Sequence, residues 1–147
     1  MGASTIRIQA MKHFFVHSVL GLASVCVATA AATPESVCSA LAEGLSKQQA
    51  ILAGVTDAAS SAAAVGALQD NFRYLNSLHD QMETNELWRH IENTPELKTR
   101  LINYLQQITI HLARIEQAEY YGCESLRELL YPMLNPSSSR PDEEQPE

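Results

Sequence analysis

Residues 61–83 read SAAAVGALQDNFRYLNSLHDQME and place Val65, Leu68, Phe72, Leu75, His79 and Met82 at successive steps of 3, 4, 3, 4 and 3. Residues three and four apart share one face of an α-helix, so this spacing predicts a long amphipathic helix with a coiled-coil type seam. Neither this stretch nor its flanks alternate polar and apolar residues long enough to suggest a strand.

Outward from that helix, the six prolines at 34, 95, 132, 136, 141 and 146 leave 35–94 and 96–131 free of the strongest helix breaker. Thr33-Pro34-Glu35 and Thr94-Pro95-Glu96 each offer an N-cap hydroxyl, a proline at the first helical position and an acid where the helix dipole favours negative charge. The expected elements are helices over 34–55, 61–83 and 95–121, a short helical turn over 86–92 and a stub over 124–131. The first helix carries Val37, Leu41, Leu45, Leu52 and Val55 in a stripe thinned by Gln48. The third carries Leu97, Leu101, Leu105, Ile108, Leu112 and Ile115, with Tyr104 and His111 on its flank, a stripe wide enough to face two neighbours. Asp57 and the serines up to Ser61 are capping candidates in the joint between the first two helices. The small residues of Ala58 to Ala67 would let helices approach closely there.

Three amphipathic helices on short connections predict an all-α fold, an antiparallel three-helix bundle running up-down-up over 33–131. Residues 132–147 hold Pro-Ser-Ser-Ser-Arg-Pro and then acids, with too little apolar surface to bury, and read as a disordered acidic tail.

Residues 1–32 read as a signal peptide. Arg7 and Lys12 are the only charges before Glu35, and Phe14 to Ala30 is a run of apolar and small residues. Cleavage is expected after Ala30 or Ala32, with an uncleaved anchor as the alternative; Met11 offers a second plausible start. Cys26 lacks the Leu and the small residue that a lipoprotein signal places before its cysteine. The expected destination is the bacterial periplasm or the medium.

The chain of 147 residues suits one domain. Its net charge of −7 becomes −9 once Arg7 and Lys12 are removed, which disfavours phosphate backbones and anionic lipid: no nucleic acid, and no stable membrane insertion after cleavage. Cys38 and Cys123 would share an oxidising compartment, so a disulfide within the chain or between chains is open beside two free thiols. The antiparallel reading separates them by about 34 Å, against the ~5.5 Å that a bridge allows. Cys123 has no histidine placed to activate it.

His79 with Glu83, and Glu86 with His90, are each four residues apart and share a helix face, the minimum for a metal-binding pair. Two ligands make no site, however. No Glu has His three residues after it, as di-iron bundles require, and no Cys-x-x-Cys-His occurs for covalent haem. No cofactor is expected. Trp88, Tyr120 and Tyr121 either anchor a partner or close the ends of the bundle.

The segment from Ile51 to Met82, with its Val-Thr-Asp-Ala-Ala-Ser joint, resembles short exported bacterial helical-hairpin proteins of unassigned function. The resemblance implies an extracytoplasmic helical hairpin and no activity. With no nucleophile beside a base, the expected function is that of an exported interaction or structural protein rather than an enzyme, binding another protein or itself. The alternative is a weak metal or small-ligand carrier.

Overall fold

A computed structural model describes residues 32–82 and 85–135. Residues 1–31, 83–84 and 136–147 lie outside the described residues, and with them nearly all of the expected signal peptide 1–32 and most of the expected tail 132–147. Those described are all helical, with no strand among them.

Helix α1 spans Pro34–Gly54 and begins as its sequence prescribes: the Thr33 hydroxyl accepts from the Ser36 N–H at 3.2 Å, ahead of Pro34. Helix α2 spans Ala58–Ser77 and opens on a capping box: Asp57 Oδ1 accepts from Ser60 N at 2.8 Å and Ser60 Oγ accepts from Asp57 N at 3.0 Å. The hydrogen bonds from Ser60 hold the Asp57 carboxyl below its usual range. The predicted second helix is thus shifted toward its N-terminus. It pauses at Leu78 and resumes as α3, His79–Met82. Helix α4 spans Asn85–Asn93 and α5 spans Pro95–Gln117. Thr94 precedes Pro95 as expected, but its side chain makes no capping bond.

The spacing predicts a third helix through 121, and the chain departs from that. Glu119, Tyr120, Tyr121 and Gly122 take φ of +49°, +53°, +52° and +74°, one tight left-handed turn over Glu119–Gly122. Glycine adopts this conformation freely, whereas each L-residue held in it costs roughly 1 to 2 kcal/mol. Gly122 closes this turn. Helix α6 then spans Glu124–Leu134 and includes Pro132, so it runs past the expected stub at 131 and takes the first three residues of the expected disordered tail 132–147 into a helix. Leu126 and Leu130 are fully buried, and each contributes roughly 1.5 to 3 kcal/mol by leaving water. This burial offsets the backbone cost of the turn.

Helix α1 is the hub: α2, α4 and α5 all pack against it, while α6 packs against α2. Leu41, Leu45, Leu52 and Val55 are buried on α1, and Gln48 fills the gap in their stripe at 2% exposure. Leu101, Ile108, Leu112 and Ile115 form the core face of α5, and Leu87 and Ile91 that of α4. On α2 and its continuation the buried row is Ser61, Ala64, Leu68, Asn71, Leu75, Leu78 and Met82. This corrects the predicted seam by one residue at every second step: Ala64, Asn71 and Leu78 replace Val65, Phe72 and His79, which lie half-buried at the margin. The inward row alternates the large Leu68, Leu75 and Met82 with smaller or polar positions, and Leu75 is the side chain that lies against Gly44 of α1.

Candidate functional site

The α1–α2 contact is tight at Gly44, outside the small-residue run Ala58–Ala67, whose one glycine, Gly66, has open space around it. A Cβ on Gly44 would overlap Leu75 Cδ2 and stand 3.0 Å from Leu75 Cγ and 3.3 Å from Tyr74 Cδ1. Asn71 Nδ2 donates to Gly44 O at 3.0 Å, and Tyr74 Oη to Ala40 O at 3.4 Å, so numbers fall along α1 as they rise along α2. Asn71 Oδ1 and Gln48 Nε2 are buried with no hydrogen-bond partner among the described residues.

Arg114, in the last turn of α5, donates from Nη2 to Leu52 O at 2.9 Å and to Ala53 O at 3.5 Å. Helix α1 has no basic residue in its own last turn, so the guanidinium from α5 caps its terminal carbonyls and meets the negative end of its dipole. His111, one turn earlier, is half-buried; burial first, and then the Arg114 charge, lowers its pKa from 6.5.

Among the described residues the metal candidates form no ligand set. His79 is half-buried on α3, Glu86 is exposed and His90 half-buried on α4, and Glu83 lies outside the described residues. Among the described residues no three His, Cys, Asp or Glu side chains gather where a metal ion could be held. Cys38 is buried near the start of α1 and Cys123 half-buried after the left-handed turn, and both are free thiols. Arg114 places the end of α5 beside the end of α1, and Cys38 to Gly54 is about 24 Å of helix at 1.5 Å per residue. Burial, with the Glu35 charge behind it, pushes the Cys38 thiol pKa up. Such a thiol is a poor nucleophile.

Tyr120 is buried on the left-handed turn, and its hydroxyl has no hydrogen-bond partner among the described residues. Burial, then the Glu116 carboxylate, raises its pKa. Tyr121 and Trp88 are half-buried against the core.

The surface feature that the apolar pattern did not flag is the back of α5. Thr99, Asn103, Gln106, Ile110, Ala113 and Gln117 follow one another at steps of 4, 3, 4, 3 and 4, and all are exposed. Ile110 stands at their centre with 56% exposure. No Asp, Glu, Lys or Arg occurs from Leu101 to Ala113, and that gap in the charge pattern is the sequence signal for this strip. No helix among the described residues is long and apolar enough to cross a membrane. No protein family, curated protein or solved structure matches the chain.

Proposed function

We propose that the chain is a small exported bacterial protein, periplasmic or secreted, that folds as an up-down-up three-helix bundle and works by binding another protein. Its role is non-catalytic. The course of the bundle is supported by the falling register between α1 and α2 and by Arg114, which joins the last turns of α1 and α5. Export is supported by Arg7 and Lys12 ahead of the apolar run to Ala30, and the likeness to exported helical-hairpin proteins agrees with it.

The observation that carries the interaction role is the charge-free strip centred on Ile110. On a chain of net charge −7, a face without charges is the one that another uncharged helical surface can cover without desolvating ions. Its amides both donate and accept, so the partner is recognised by packing and amide hydrogen bonds rather than by steering charge. Affinity capture with the wild-type chain and with Ile110→Lys is the test. A partner retained by the wild type and lost with Ile110→Lys, at equal helicity by circular dichroism, is the expected result. Equal retention by both, or none by either, overturns the reading.

A further inference from the structure

We propose that the turn Glu119–Gly122 is the hinge of an exchange in which α6 of one copy lies on α2 of a second copy, and the reverse. This association is separate from the Ile110 strip and rests only on the up-down-up course given above.

The turn holds three consecutive non-glycine residues at positive φ and buries the Tyr120 hydroxyl without a partner among the described residues. Both penalties belong to reversing the chain within one copy. Residues 118–123 contain no proline, and only Gly122 among them is a poor helix former. Released from the reversal, they can wind right-handed and join α5 to α6 as one helix over 95–134, about 60 Å long at 1.5 Å per residue. Strained hinges of this kind favour exchange, because the strain is removed while the docking contacts are kept.

Helix α6 is suited to travel. Apart from its hinge it packs against α2, where it buries Leu126 and Leu130, and a second copy offers an identical α2. The direction also closes. Arg114 puts the end of α5 at the same end of the molecule as the α1–α2 joint. A straightened helix therefore leaves through that end and enters the like end of a second copy, running along α2 in the sense that α6 already follows. Two such helices related by a two-fold axis satisfy both docking sites and leave none open to a third copy. Lost freedom on association opposes the exchange, so it grows with protein concentration.

Size-exclusion chromatography with light scattering, from micromolar to millimolar chain, tests it. Gly122→Ala places a Cβ in open space but at φ +74°, which disfavours the turn and favours the helix. It should raise the dimer association constant about tenfold or more. Glu119→Gly removes an exposed side chain from a positive φ and weakens the alternative helix, and should lower the constant about tenfold or more. Ile110→Lys should leave it unchanged. Monomers at every concentration for both the wild type and Gly122→Ala, or a dimer indifferent to the hinge and lost with Ile110→Lys, overturn the exchange. A monomeric wild type that still captures a different protein through Ile110 sinks the exchange and leaves the interaction role standing.

Discussion

Asn71 Nδ2 reaches the main-chain oxygen of Gly44 at 3.0 Å across the α1–α2 interface, and both residues are buried. The missing Cβ of Gly44 and the amide of Asn71 are two halves of one arrangement: close approach brings the carbonyl within reach, and the amide makes that approach specific. Sliding α2 along α1 by one turn would leave the amide buried without its acceptor, at a cost of about 1 to 3 kcal/mol. The contact therefore holds the register of the two helices.

Gly44→Ala is expected to destabilise the fold by about 1 to 3 kcal/mol, because the new methyl overlaps Leu75 in a packed interface. Gly66→Ala, in the middle of α2 with nothing within 4 Å of the added Cβ, should stabilise it by about 0.5 to 1 kcal/mol through helix propensity alone. Urea unfolding of the two variants should therefore move the midpoint in opposite directions. A midpoint raised by Gly44→Ala would mean that Gly44 is not a close-approach site.

Gln48→Leu should raise stability by about 1 to 2 kcal/mol. The substitution removes a buried amide nitrogen without a partner and completes the apolar stripe of α1. A melting temperature that falls would show that Gln48 has a hydrogen-bond partner in solution.

Arg114→Met keeps most of the stem but removes the donors from Leu52 O and Ala53 O, and should destabilise by about 1.5 to 3 kcal/mol. It should also raise the His111 pKa, since one of the two influences that lower it disappears. Histidine proton shifts followed through a pH titration compare the wild type with this variant; an unmoved His111 titration would contradict the placement of the guanidinium.

Acid should weaken the fold through His111. Its folded-state pKa lies below the ordinary 6.5, chiefly by burial, so as pH falls the unfolded chain takes up this proton first. The stability tied to the neutral imidazole is complete above about 6.5 and is lost as pH drops through the lower folded-state value. His111→Gln should flatten the dependence of the urea midpoint on pH in that window. Asp57 and Glu124, held below the usual carboxylate range by Ser60 and Arg127, extend the loss to more acidic pH.

Alkylation followed by intact-mass measurement should modify Cys123 in the native protein while sparing Cys38 until urea unfolds it. Equal rates for the two thiols would contradict the burial of Cys38.

The helical class, the start of α1 at Thr33-Pro34 and the Asp57 cap of α2 were legible because each rests on local chemistry: periodicity, a ring that fixes φ, and a short side chain that reaches its own backbone. The inward row of α2 was less so. Apolar spacing points to Phe72, yet Asn71 is the residue turned inward, where its amide bonds Gly44 O of another element. Thr94 resembles Thr33 in sequence but not in capping, and Pro132 sits inside α6 where a stop was expected. Nothing in Glu119-Tyr120-Tyr121 announces a left-handed turn; Gly122 alone carries that signal, and the other three are held there by the burial of Tyr120 and α6. At the candidate sites, the histidine and glutamate pairs were readable as pairs, whereas convergence depends on tertiary placement that spacing along one helix does not contain. Ile110 was invisible to a search for core positions, since its character lies in being apolar and left outside.

That α1 serves both α2 and α5 has a consequence for synthesis. The flank of α1 that meets Leu101 and Ile108 has no cover when Leu78 emerges from the ribosome. At about 5 to 20 residues per second, the stretch up to Ile115 follows roughly 2 to 7 seconds later. During that interval the nascent chain displays an oily groove, and slow synonymous codons between positions 78 and 97 would lengthen the exposure and lower the yield of usable protein without altering one side chain.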